Sequence, residues 1–208
     1  MKYYPAFLDL KDKKAVVVGG GQVAERKART LIKAGASVTV ISPSITAGLK
    51  RLKDKGRLDH IKRKYKKGDL KDAFIVIAGT SSKETNLRVA RDAGHLVNVI
   101  DSPDEGNFIV PAVVERGPLT MAVSTGGASP AVSRAIRKEI ESRYDREFAR
   151  YLRFAESVRK RAMKEIRDKE KRERFFRSMA SEEIFSSLRT TGFSAVSEKI
   201  LSYLDNIR

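Results

Sequence analysis

Six residues, GGGQVA at 19–24, stand between an apolar β-branched run and an amphipathic stretch, and they leave few folds open. KKAVVVGG (13–20) reads as a strand. QVAERKARTLIKAGA (22–36) places Val23, Ala24, Ala28, Leu31 and Ile32 on one helical stripe, and SVTVIS (37–42) is strand-like again. That order is a βαβ unit. Inside it, Gly19, Gly21 and Ala24 satisfy G-x-G-x-x-A: the first glycine permits a tight turn, the second lets a pyrophosphate approach the backbone, and the alanine lets the helix sit close to the sheet. The helix start at Gln22 and Val23 offers N–H groups and a partial positive charge to phosphates. A dinucleotide site is the reading that the context favours. A glycine turn serving only close packing is the alternative.

The same alternation continues. Residues 47–56 read as a Lys-rich helix, LDHIKRKY as a short edge strand, AFIVIAGT (73–80) as a buried strand, KETNLRVARDAG (83–94) as a helix and HLVNVID (95–101) as another strand. Strands alternating with helices imply an α/β, Rossmann-like parallel sheet with helices on both faces. FIVPAVVERGPLTMAVSTGG (108–127) reads as two further strands around ERGP, and from SPAVSRAIRKEIESRY (129–144) the pattern is helical to the end.

Composition narrows the chemistry. The chain of 208 residues has no cysteine and only two histidines, His60 and His95. Disulfides, thiolate zinc sites and thiol nucleophiles are thereby excluded, and no metal site is expected. Acid/base or redox chemistry must come from a carboxylate, a hydroxyl or a borrowed cofactor. No run is long and apolar enough to span a bilayer, and the N-terminus lacks the order of a signal peptide, so a cytoplasmic protein is expected. The formal charge is +17, carried at the two ends: residues 1–70 hold 18 Lys and Arg against 6 Asp and Glu, whereas 71–145 hold 9 against 10. Runs such as KRKYKK (62–67) read as solvated faces rather than as a nucleic-acid surface, and a multiply charged small anion is the partner such a balance would suit.

Two further places carry candidate chemistry. Ligands of open parallel sheets bind outside the carboxyl ends of the strands. There the second strand ends in Ser42 and Pro43 where an Asp or Glu usually bonds the ribose, so Ser42 takes that place or nothing does. No acid repels a 2′-phosphate, and Lys50 or Arg51 is near enough in sequence to receive one; NAD and NADP both stay open. Gly79 and Thr80 end the third strand on the same crevice, and Asp101 follows the next one. Asp101 has two equal readings, a residue that starts the turn DSPD and a working acid/base group. The second place is STGGASPAVSRAIRKEI (124–140). Ser129 is a helix N-cap, Pro130 the first helical residue, and Gly126 and Gly127 leave N–H groups accessible; Ser124, Thr125 and Ser129 add hydroxyls and Arg134 lies a turn into the helix. An anion-binding corner and an ordinary capped helix both fit it.

The stretches PAFLDLKDKKAVVVGGGQVAERKARTLIKAGASVTVISP and VNVIDSPDEGNFIVPAVVERGPLTMAVSTGGASPAVSRAIRKEIE resemble the precorrin-2 dehydrogenases, the dehydrogenase/ferrochelatase portion of siroheme synthases. The likeness covers residues 1–145 closely and the helical tail more loosely. It implies NAD-dependent oxidation of precorrin-2 to sirohydrochlorin, in some members followed by insertion of ferrous iron to give siroheme. It also implies a homodimer, with an NAD-binding domain over 1–113, a dimerisation and substrate segment over 114–145 and a helical domain over 146–208. The family's essential carboxylate falls on Asp101. Its SSGG corner falls on Ser124, Thr125, Gly126 and Gly127, with Thr125 where a serine is common. No methyltransferase portion is expected, which would make this a stand-alone form acting on an anionic tetrapyrrole. Two competitors remain: a dinucleotide-sensing module that catalyses nothing, and a redox-responsive DNA-binding protein, which the tail does not favour because it shows no helix-turn-helix pattern.

Overall fold

The computed structural model describes residues 2–207. The chain forms two compact units, one running to Val110 and the other starting at Pro111. The first is a parallel sheet built from β1 (Lys14–Val18), β2 (Ser37–Ile41), β3 (Asp59–Ile61), β4 (Ile75–Ala78) and β5 (Leu96–Val99), in the order β3-β2-β1-β4-β5. Helices α1 (Gln22–Lys33), α2 (Ala47–Asp54) and α3 (Lys83–Asp92) connect the strands. The expected α/β, Rossmann-like architecture is therefore the observed one.

The alternation of side chains along each strand makes two cores. Ala15, Val17, Val38, Val40, Ile75 and Ile77 pack with Ala24, Ala28 and Leu31 of α1 and Leu49 of α2. Their neighbours Val16, Val18, Ile41, Val76, Val97 and Val99 point the other way and pack with Val89 of α3 and Tyr65. A strand covered on both faces needs apolar residues at every position, which is why β1 and β4 read as continuous runs. Each fully buried Val or Ile contributes about 1.5–3 kcal/mol over leaving it exposed.

Three elements are shorter than their patterns suggest. The edge strand keeps only Asp59–Ile61. Beyond it the chain turns, because the Arg63 guanidinium grips both Asp69 carboxylate oxygens at 2.7 Å and closes the loop between them. Helix α2 ends at Asp54, where Gly56 takes a left-handed turn (φ +65°), and α3 ends at Asp92.

The second unit opens with an antiparallel hairpin, β6 (Ala112–Arg116) and β7 (Leu119–Val123), the pair expected around ERGP. Five helices follow: α4 (Pro130–Arg143), α5 (Arg146–Glu165), α6 (Lys169–Met179), α7 (Glu182–Thr190) and α8 (Gly192–Ile207). Phe148, Tyr151, Phe175, Leu188, Ile200 and Leu204 belong to their common core. Tyr151 is buried there and donates its hydroxyl hydrogen to the Met179 carbonyl; burial pushes the phenol up to about 12. Among the described residues, no helix is long and apolar enough to cross a membrane.

Candidate active site

The glycine loop runs from the carboxyl end of β1 into α1, and its geometry separates the tasks of its glycines. Gly19 has φ +130°, and a Cβ placed on it would stand 2.3 Å from the Gly79 carbonyl oxygen. A Cβ on Gly20 would stand 1.9 Å from the Ser44 carbonyl oxygen. Gly21 differs: a Cβ there would have nothing within 4 Å. The space above Gly21 is therefore open, and as N-cap of α1 it brings no side chain to satisfy the first N–H groups of the helix. Open space against bare helix N–H groups is what a pyrophosphate needs, so the loop fits a dinucleotide.

Ser42 is buried at the end of β2, with its hydroxyl against Gly20, while Pro43 stays exposed. The loop after β2 is tied down on both sides. Thr46 N–H donates to the Gly20 carbonyl at 3.0 Å, and its hydroxyl donates to the Glu25 carboxylate, which also accepts from Arg29 Nη2 at 2.7 Å. The Thr46 hydroxyl and then Arg29 hold the Glu25 carboxyl below its ordinary value. Glu25 was not singled out from the sequence, because a Glu in the first turn of a helix is an unremarkable match to the helix dipole.

At the next strand end, one buried side chain organises the turn. Asn86 Oδ1 accepts from Thr80 N–H at 3.0 Å and from the Thr80 hydroxyl at 2.8 Å, and Asn86 Nδ2 donates to the Thr80 carbonyl at 3.0 Å. Thr80 is thus bound to the protein itself through its amide, carbonyl and hydroxyl. Losing such a buried clamp leaves donors and acceptors unsatisfied, at about 1–3 kcal/mol each.

Asp101 follows β5 at the same edge of the sheet, with φ +64°. An Asx turn would use the N–H of residue 103, but Pro103 has none. The turn is closed by main chain instead: Ser102 N–H reaches the Val99 carbonyl, and Glu105 N–H that of Ser102. Past a single 3-10 turn (Pro103–Glu105), the chain folds back along the open edge of β5. There Asn107 accepts from Val97 N–H at 2.8 Å, and Asn98, itself buried, donates to the Phe108 carbonyl at 3.0 Å. The segment carrying Asp101 is pinned at both ends. Its exposed carboxylate lines a cavity of about 270 Å³ together with Thr80, Lys83, Asn86, Leu87 and Ile100. Asp12 and Asp72 share this left-handed backbone, so what sets Asp101 apart is its place in the cavity.

The corner in the second unit is built as expected at its cap: Ser129 Oγ accepts from Val132 N–H at 3.3 Å, with Pro130 opening α4. Gly126 and Gly127 have φ of +63° and +95°. The hydroxyls differ among themselves. Thr125 Oγ1 accepts from Ser129 N–H and lies 3.1 Å from both the Ser129 carbonyl and buried Ser133 Oγ, so it serves the corner itself. Ser124 and Ser129 accept main-chain N–H groups and keep their own hydrogens for a ligand. Arg134 is exposed on α4.

A family model described as putative NAD(P)-binding matches residues 6–112, and one described as sirohaem biosynthesis protein central matches residues 116–143. The siroheme synthase of Thioalkalivibrio sulfidiphilus is 36% identical over 207 residues, 97% of this chain and 42% of its own length. That of Chromobacterium violaceum is 37% identical over 182 residues, 86% of this chain. This chain belongs to the family described as putative NAD(P)-binding. It spans about two fifths of the length of these relatives. It is also similar to the solved structure of SirC, a precorrin-2 dehydrogenase, with a TM-score of 0.84 and 28% identity, covering 98% of this chain and all of that one. Both comparisons support a nicotinamide dinucleotide as the cofactor.

Proposed function

We propose that the chain oxidises precorrin-2 to sirohydrochlorin with NAD, in the cytoplasm. The observation that carries this reading is the Asp101 carboxylate, which lines the cavity at the end of β5 on a left-handed backbone and makes no hydrogen bond or ion pair among the described residues. Similarity to SirC over nearly the whole chain supports it.

In this reading Gly19, Gly21 and the N–H groups of Gln22, Val23 and Ala24 hold the pyrophosphate. Ser42 and Pro43 flank the adenosine ribose, and Gly79 and Thr80 border the nicotinamide. The bound dinucleotide supplies a hydride acceptor. The oxidation removes two hydrogens from the tetrapyrrole: one leaves as hydride, and the Asp101 carboxylate takes the other as a proton and passes it to water. NAD is the proposed acceptor, and the one acid bonded to the loop after β2 among the described residues, Glu25, is paired with Arg29, so the two dinucleotides are separated by the assay below. Ser124, Gly126, Gly127, Ser129 and Arg134 receive substrate carboxylates, with Thr125 shaping their corner.

The test is an anaerobic assay of precorrin-2 with each dinucleotide. NADH should accumulate, with a lower KM for NAD than for NADP. Dinucleotide binding without NADH formation would replace the enzyme with a sensing module. Ferrous iron, added as a second substrate, should convert the product to siroheme if Asp101 also takes the protons that chelation displaces; an unchanged sirohydrochlorin spectrum would confine the chain to dehydrogenation.

We further propose a homodimer formed through residues 114–145, within a three-part division at 1–113, 114–145 and 146–208. A two-stranded hairpin is marginal alone, and here its outer face and that of α4 leave Val113, Val132 and Ile136 exposed. Sedimentation equilibrium should give twice the chain mass, and a monomer would refute the assignment.

A further inference from the structure

The cavity beside Asp101 contains a charged group that neither the glycine loop nor the acid/base step uses. Lys83, the first residue of α3, lines it and is exposed. Among the described residues lining that cavity, it is the one cation and Asp101 the one anion. Several cations on these helices are paired with an acidic residue a turn away, as Arg29 with Glu25, Arg137 with Glu141 and Lys160 with Glu156. Lys83 has Asn86 and Leu87 at those positions, and no ion pair holds it among the described residues.

Of the other polar side chains of the cavity, Ser81 and Ser102 stand beside the two charges, while Thr80 and Asn86 are engaged with each other. The neighbouring Ser82 hydroxyl caps α3 by accepting Thr85 N–H at 3.1 Å. A ligand entering the cavity thus meets both an ammonium and a carboxylate in its lining. The substrate of the proposed reaction is itself a polycarboxylate, which the Asp101 carboxylate alone would repel. An anionic substrate reaches a carboxylate base more readily when a cation in the same cavity takes one of its charges.

We infer that Lys83 is a specificity-determining residue that receives an ionised carboxylate of the tetrapyrrole in the cavity beside Asp101. This inference rests on the dehydrogenase reading. In the sequence, the lysine of SSKET resembles the many others of a chain with charge +17.

The experiment compares the full-length wild type with Lys83→Ala, Lys83→Arg and Lys83→Glu in the anaerobic assay. Lys83→Ala should raise KM for precorrin-2 about tenfold, as expected for loss of one charge-assisted hydrogen bond, with kcat and the KM for NAD nearly unchanged. Lys83→Glu should be worse and Lys83→Arg close to wild type. Added salt should raise the wild-type KM more than that of Lys83→Ala, because screening acts on the pair that the variant lacks. Equal KM values and equal salt responses in wild type and Lys83→Ala would overturn the inference. Binding of uroporphyrin, a stable octacarboxylate, followed by fluorescence, gives an arm independent of turnover. If the wild type makes no NADH, the dehydrogenase reading fails, while equal uroporphyrin affinity in wild type and Lys83→Ala would refute the lysine's role separately.

Discussion

Asp101→Asn should lower kcat for NADH formation by about 10²–10⁴-fold, the range that loss of a positioned base produces. Affinity for NAD should stay close to wild type, since Asp101 lies beyond the glycine loop and bonds none of it. Asparagine is the informative replacement because it tolerates the left-handed backbone at φ +64° almost as well as aspartate and keeps the side-chain shape. Asp101→Ala adds about 1–2 kcal/mol of backbone strain, so its lost activity would mix two causes. Unfolding by urea should accordingly separate the two variants, with the Asn protein close to wild type and the Ala protein less stable. Full activity in Asp101→Asn would return the residue to the role of a turn former.

Alanine at Gly19 and at Gly21 should produce two unlike failures. At Gly19 the new methyl group meets the Gly79 carbonyl oxygen at 2.3 Å, and the backbone stands at φ +130°. The left-handed penalty and the overpacking together amount to about 2–5 kcal/mol, enough to unfold the first unit of a marginal protein. At Gly21 the methyl group enters open space, so the fold and its Tm should be kept while affinity for NAD falls about tenfold or more, because the phosphates lose their close approach. Thermal unfolding and NAD titration of both variants distinguish these effects. A Gly19→Ala protein as stable as wild type would contradict the packing described for the loop, and unchanged NAD affinity in Gly21→Ala would remove the pyrophosphate from it.

The parts of this structure that were legible in advance are those governed by local period and punctuation. The valines of β1, the stripe of α1 and the glycines between them specify a βαβ unit wherever they occur, and Ser129-Pro130 marks a helix start by itself. The same logic places Asp101 at the strand edge, whereas the closing of the turn by the main-chain bonds of residues 99–105 is visible only in the fold. What stayed hidden depends on contacts between segments far apart in sequence. Gly19 needs its conformation partly because of Gly79, and nothing within GGGQVA announces that neighbour. Asn86 clamps Thr80 only once α3 has packed onto the sheet. Thr125 looked like a ligand hydroxyl beside Ser124 and Ser129, but the fold brings Ser133 and the Ser129 main chain to it. The edge strand ended early because an ion pair six residues apart, Arg63 to Asp69, outweighs the weak β pattern of IKRKY.

The central claim is that this chain couples oxidation of a tetrapyrrole to reduction of its dinucleotide. The most direct measurement is a single turnover under anaerobic conditions, with enzyme in excess over precorrin-2 and NAD saturating, following NADH and sirohydrochlorin together. The account predicts that both appear at the same rate and in equal amounts. Sirohydrochlorin formed without NADH, or neither product from a protein that binds NAD, would contradict it.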